Sequence, residues 1–335
     1  MMLVVERLLA GVMVVPFVLG MTSGDSERRD VAFRFTDAQV VESSGLVATG
    51  RLFVTVNDSG DEGRTFVVDR DGDTVGGASW GEATDVEAVA PWGRDQVLVG
   101  DIGDNRGRRD SVRLVRVPVE RETREVDPDV FELRYPGGPR DAEAVLVHPR
   151  TRQVLVASKE LLGGTLYAAP RELSGARVNR LRPLAPVIGF VTDGAFFPDG
   201  RHLVLRDYGR AVVYSYPALE RVAEVELPEQ DQGEGIAVHD DGTVYVSTEG
   251  QFTAVLRIAL PPALRDVVVP PAAPTSTPSA SPSSSAEPDP STTPSREEDE
   301  QAQTTSPDRP VWPWLLTGSL GLAAVAVLVL ALRRR

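Results

Sequence analysis

The stretch DAEAVLVHPRTRQVLVASKE (141–160) decides the fold. It opens on an acidic pair, runs into the apolar Ala144–Val147, turns at Pro149–Arg152, and enters a second β-rich run, QVLVAS (153–158). Two β-prone runs about a turn read as a hairpin. The opening recurs along the chain: an acidic residue or Ser, then Gly or Ala, then an apolar strand. It stands at Ser44-Gly45-Leu46, Glu87-Ala88-Val89, Glu143-Ala144-Val145, Asp193-Gly194-Ala195 and Glu234-Gly235-Ile236, at successive spacings of 43, 56, 50 and 41 residues.

Each copy is followed by a turn and a second strand: LFVTV after Gly50-Arg51, QVLVG after Arg94-Asp95, HLVLR after Asp199-Gly200-Arg201, and TVYVS after Asp241-Gly242. Asp-Gly between apolar runs is a strong hairpin signal. Third strands follow at 65–69, 112–117, 165–169, 211–216 and 254–260. Fourth strands are expected near Thr74–Trp80, Val130–Tyr135, Val178–Leu184 and Val222–Leu227. Periods of this length in four-strand units indicate an all-β propeller. The fifth unit ends after its third strand, and AFRFTD (32–37) is free to supply the missing outer strand and close the ring. Five four-stranded blades are expected, with six possible if a unit hides in the two longer intervals.

The regions outside this repeat read differently. Residues 1–24 carry an uncharged run, Leu8–Met21, of 14 residues, which suits a secretory leader and is too short to span a bilayer. Val311–Leu332 is 22 uncharged residues, led by Trp312 and Trp314 and followed by Arg333, Arg334 and Arg335. As a helix it is roughly 33 Å long, enough to cross a membrane, and the basic tail at 333–335 would stay inside the cell. Residues 270–310 contain ten Pro and fifteen Ser or Thr among 41, so they cannot form a core and read as an extended stalk. The expected organisation is a leader, an extracellular propeller over 25–269, a stalk, one C-terminal transmembrane helix and a short cytoplasmic tail.

The chain has 335 residues and no cysteine, which excludes disulfides and thiolate metal sites. Its net charge is −14, which excludes a nucleic-acid partner held by its phosphates. The 35 basic residues include one lysine, Lys159.

In a propeller the start of strand one and the end of strand two of each blade meet on one face. Both places are acidic here. Strand one offers Ser44, Glu87, Glu143, Asp193 and Glu234, with Glu42, Asp85 and Asp141 two residues earlier on the same side. Strand two ends at Asn57-Asp58, with Asp61 beyond, Asp101 with Asp104-Asn105, Lys159-Glu160, Arg206-Asp207-Tyr208, and Thr248-Glu249. Carboxylates about 6 Å apart repel by roughly 3 kcal/mol at an effective dielectric of 20. Such a ring needs compensation, and three arrangements supply it: a bound divalent cation, internal ion pairing, or a solvated mouth. Oxygen ligands suit Ca2+, with Glu42, Glu87, Asp101, Glu143, Asp193, Asp207 and Glu234 as the candidate set. Asn57, Asp58, Asp61, Asp104, Asn105, Lys159, Arg206 and Glu249 are the candidate binding-face residues. Asp69–Asp73 reads as a hairpin turn, and His148, His202 and His239 fall at turns on the opposite face. No Gly-x-Ser-x-Gly elbow is present.

VESSGLVATGRLFVTVNDSGDEGRTFVVDRDG (41–72), LVGDIGDNRGRRDSVRLVRVP (98–118) and 138–160 resemble a set of secreted actinobacterial propellers. These are similar to the esterase-like phytase and gluconolactonase-like families. The resemblance spans roughly residues 40 to 260. It implies a single divalent metal in the channel, at positions matching Glu42 or Ser44, Asp101, Glu143 and Asp207. Those families are usually six-bladed, and Lys159 and Arg206 intrude on such a site. The expectation is therefore a cell-surface propeller that binds a ligand or protein at its acidic mouth, possessing no assembled acid–base pair. The alternative is a metal-dependent phosphoesterase or lactonase with Glu143 or Glu87 as general base.

Overall fold

The computed structural model describes residues 30–58 and 60–269. The expected leader, stalk, membrane span and basic tail lie outside these residues. The described chain folds into five sheets, each a propeller blade. Blade I comprises Ser43–Thr49, Leu52–Asn57, Phe66–Val68 and Thr74–Gly81. Blade II comprises Val86–Pro91, Gln96–Asp101, Val112–Pro118 and Asp129–Arg134. Blade III comprises Ala142–Val147, Val154–Ser158, Thr165–Ala168 and Arg182–Pro186. Blade IV comprises Asp193–Phe196, His202–Arg206, Arg210–Ser215 and Arg221–Glu226. Blade V takes Gly233–Val238, Val244–Thr248 and Ala254–Ile258 from the end of the chain. Its outer strand is Val31–Arg34, paired antiparallel with Ala254–Ile258, so the ring closes as the sequence predicts.

Strand periodicity explains why blades stack. Along Ala142–Val147, Val145 and Val147 pack into the core shared with blade II, whereas Ala144 and Leu146 pack into the core shared with blade IV. Every second residue faces one neighbour and the rest face the other. Both faces of an inner strand are therefore apolar, and the core is divided into five clusters, one between each adjacent pair of blades. Outer strands touch less and show it: Arg221–Glu226 alternates between exposed and half-buried residues.

The two long intervals hold no sixth blade. They hold short segments that pair in parallel with the outer edge of the preceding blade. Thr123–Glu125 lies along Thr74–Gly81, and Asn179–Arg180 lies along Asp129–Arg134. The single outer strand expected at Val178–Leu184 is thus two pieces, of which only Arg182–Pro186 belongs to blade III. Gly76 permits the first stitch, since a Cβ there would sit 2.1 Å from the Glu120 carbonyl oxygen. A short helix, α1 (Pro262–Val268), follows blade V and buries Leu264 and Val268 in the IV–V core. Among the described residues no helix is long and apolar enough to cross a membrane.

Inner strands start on the face carrying the acidic positions. The described chain starts and stops on the other one. Asp30 pairs with Arg257 toward the far end of the third strand of blade V, and Val269 packs against Gly242 in that blade's first turn.

Candidate functional site

The acidic positions owe their placement to a defect repeated around the ring. In blades I, II and III the register slips at Ser43/Gly45, Val86/Ala88 and Ala142/Ala144, leaving Ser44, Glu87 and Glu143 as the extra residues of β-bulges. Blade V slips between Gly233 and Ile236, across Glu234-Gly235. A bulge re-aims one side chain at the start of a strand. Glu87, Glu143 and Glu234 are each only 4% exposed, so these carboxyls sit at the bottom of the mouth.

Two residues earlier, the backbone carbonyls of Glu42, Asp85, Asp141 and Gln232 accept from the N–H of Asp58, Gly103, Lys159 and Glu249 at 3.0–3.1 Å. This extra rung holds Glu42, Asp85 and Asp141 above the bulged residues. Asp85 and Asp141 thereby join the site, although the sequence marked them only as companions of the ring.

Residues ending strand two do another job. Asn57 Oδ1 accepts from the N–H of Val41 and Glu42, and its amide donates to the Gln39 carbonyl and to Asp61. Asp101 accepts from the N–H of Thr84 and Asp85, and also pairs with Arg109 at 2.8 Å and Arg113 at 2.5 Å. Thr248 ties down Gln232 in the same way. These side chains fasten the incoming segment of their own blade. Asp101, 1% exposed and held below the ordinary carboxylate range by both arginines against the effect of burial, has no lone pair to spare for a metal.

Three further candidates are structural. Asp207 accepts from the N–H of Gly209 and Arg210 and pairs with Arg210 at 2.9 Å. Asp193 is fully buried and accepts from the N–H of Gly194, Ile236 and Leu46, binding blade IV to blades V and I across the axis. Arg206 is fully buried and donates to the Gly235 and Ser247 carbonyls and to Gln230, so it staples blade IV to blade V and does not face a ligand. Asp104 closes its own loop by accepting from the N–H of Arg108 and Arg109, while Asn105 stands exposed beside it.

Among the described residues, the mouth also holds Glu42, Asp58, Asp85, Glu87, Asp141, Glu143, Glu234 and Glu249, with the ammonium of Lys159. Lys159 Nζ lies 2.5 Å from Glu143 Oε1 and 5.3 Å from the centre of the Tyr208 ring. Burial opposes its charge, but Glu143 and Tyr208 outweigh that and hold Lys159 above the ordinary lysine range. Burial raises Glu143, offset only in part by Lys159. Among the described residues Glu87 forms no ion pair, and the Ser44 hydroxyl donates to it at 3.2 Å. Burial and then the charges of Glu143, Asp58, Asp85 and Asp141 drive it well above the usual carboxylate range. Asp85 is pushed up to about 6, by burial and then Asp58, and Glu234 to about 7, by burial against the pull of Lys159. Asp85 Oδ1 is buried without a hydrogen-bond partner. Asp58, Asp85 and Glu87 bring oxygens within 4.8 Å of one another, a spacing and chemistry that fit a hard divalent cation.

The opposite face differs. Its axial hollow, about 380 Å³, is walled by residues such as Val47, Val89, Val147, Phe196 and Val238, with Arg94, Arg152 and Asp240 at the rim. All three histidines lie on that side. His148 Nδ1 accepts from two turn N–H groups, His202 pairs with Asp199, and His239 pairs with Asp241, so none approaches a mouth carboxylate.

No protein-family model matches the chain, and no curated protein matches it. Solved structures with some likeness include a putative 6-phosphogluconolactonase from Bacteroides uniformis ATCC 8492. It is 15% identical, with a TM-score of 0.38, over 66% of this chain and 68% of that one. Another is the β-propeller domain of Cps50 (Swd1) from Myceliophteria_thermophila. It is 11% identical, with a TM-score of 0.39, over 65% of this chain and 84% of that one. At such scores neither carries an argument about activity; the propeller rests on the chain's own five sheets.

Proposed function

We propose that this protein is a binding module displayed outside the cell, exported by the leader at 1–24, anchored by Val311–Leu332 and held off the membrane by the stalk at 270–310. Its ligand carries positive charge and enters the mouth of the propeller. The observation supporting this most is the imbalance there: a ring of half-buried and buried carboxyls, Glu87 foremost, faces the lone ammonium of Lys159, itself already committed to Glu143. Desolvated like charges are costly until a cation or a proton offsets them. The described residues end on the other face, where Val269 packs beside Gly242. Binding is favoured over hydrolysis because Glu143 is ion-paired with Lys159, and burial among neighbouring carboxylates raises Glu87 well above the usual carboxylate range.

Calcium is one such ligand, favoured by the approach of Asp58, Asp85 and Glu87. Titration of the full-length protein with calcium and with spermidine, followed by calorimetry and melting, tests both statements. Saturating ligand at 100 times its Kd should stabilise the fold by about 2.7 kcal/mol. Glu87→Gln should weaken calcium at least tenfold. A calcium-silent protein still stabilised by spermidine would remove the metal and keep the mouth. Silence toward both would end the reading.

A further inference from the structure

One lip of the mouth is apolar. Leu161 and Leu162 are 68% and 97% exposed, and Phe190 and Tyr208 are 42% and 40% exposed. They converge from three loops on blades III and IV. The Phe190 and Tyr208 rings lie 6.5 Å apart, and Tyr208 sits over Lys159 beside Glu143. The two loops of blade III are stitched together by the N–H of Phe190 to the Glu160 carbonyl, Gly164 to Ile188 and Val187 to Gly164. Gly189 makes that approach possible, its place for a Cβ being 2.7 Å from the Leu161 carbonyl oxygen. Phe190 is held at φ +52°, a conformation that L residues adopt at a cost and that recurs at functional positions. The turn that makes these bonds leaves the Phe190 ring in solvent beside two exposed leucines.

We infer that the mouth and this lip together form a docking surface for a protein segment in which a basic side chain is flanked by apolar ones. The arginine or lysine enters among the carboxyls, and its neighbours cover Leu161, Leu162, Phe190 and Tyr208. Charge complementarity selects the basic residue, and the lip on one side only sets the direction in which the segment lies. This rests on the reading that the mouth takes positive charge.

The test uses the full-length protein and three capped peptides: acetyl-Leu-Arg-Phe-amide, acetyl-Ser-Arg-Ser-amide and acetyl-Leu-Gln-Phe-amide. Leu162→Ser and Phe190→Gly remove lip contacts at exposed positions, and glycine suits the backbone at 190. The Leu-Arg-Phe peptide should bind best, and each lip variant should weaken it by about tenfold while leaving Ser-Arg-Ser unchanged. Equal binding of Leu-Arg-Phe and Ser-Arg-Ser, indifferent to the lip variants, would overturn the inference and leave the mouth reading standing. Equal binding of Leu-Arg-Phe and Leu-Gln-Phe would overturn both. No saturable binding of any peptide up to ~10 mM would overturn the docking surface alone, with calcium and spermidine then judging the mouth.

Discussion

Two carboxyls of the mouth make the fold sensitive to pH in a definite direction. Glu234 and Asp85 have folded-state pKa values of about 7 and about 6, raised first by burial. The folded protein therefore holds protons that the unfolded chain releases, and stability present below the ordinary carboxylate range is lost as pH rises through those values. For Glu234, 4% exposed, that loss is on the order of 3 kcal/mol between about pH 4.5 and 7. Asp101 has the opposite sign. Its arginines hold it down, and its contribution disappears only as pH falls through its depressed pKa. The melting temperature should thus peak between about pH 4 and 5 and fall toward pH 8. Calcium or spermidine should restore part of the loss at pH 8. A flat profile from pH 5 to 8 would show that the mouth carboxyls are solvated in solution.

At the scale of an element, the parallel stitches deserve testing because nothing in the strand pattern required them. Thr123–Glu125 is exposed in every residue, and its attachment depends on close backbone approach at Gly76. Gly76→Ala should release the stitch without unfolding the blade, because the inner strands keep their cores. Limited trypsin digestion reads this directly, as cleavage after Arg121 and Arg124 should accelerate severalfold while the melting temperature shifts little. Unchanged cleavage would mean that other contacts hold the segment. The bulges work on the same scale: one extra residue in the inner strands of blades II and III, Glu87 and Glu143, places a carboxyl at the mouth.

For the whole molecule, closure of the ring is the decisive contact. No blade owns a core, so each depends on both neighbours, and the core between blades V and I takes Phe33 and Phe35 from the other end of the described chain. Phe33 anchors that strand, 6% exposed and packed on Phe35 and Phe53. Phe33→Ala should cost about 3–5 kcal/mol, read from the denaturant midpoint, despite its place near the start of the described chain. A loss below about 1 kcal/mol would mean that the ring closes without this strand.

The repeat, the inner strand positions and the borrowed outer strand were legible in the sequence because each is written in local alternation and turn chemistry. So was the gathering of Glu42, Glu87, Glu143 and Glu234 on one face, which follows once strand direction is known. What local pattern could not tell apart was the role of each carboxyl. Asp101 and Glu87 look equivalent along the chain, yet two arginines eight and twelve residues on pair with Asp101, while among the described residues no cation pairs with Glu87. Arg206 reads as a mouth residue and is an internal staple. The lip of Leu161, Leu162, Phe190 and Tyr208 is scattered over three loops, and only the tertiary structure brings it together. The sequence by itself determined which elements form and which face they share, because hydrophobic periodicity is local. The tertiary structure decided which charges are paired and which are left waiting for a partner, because pairing depends on distances between residues that no local pattern records.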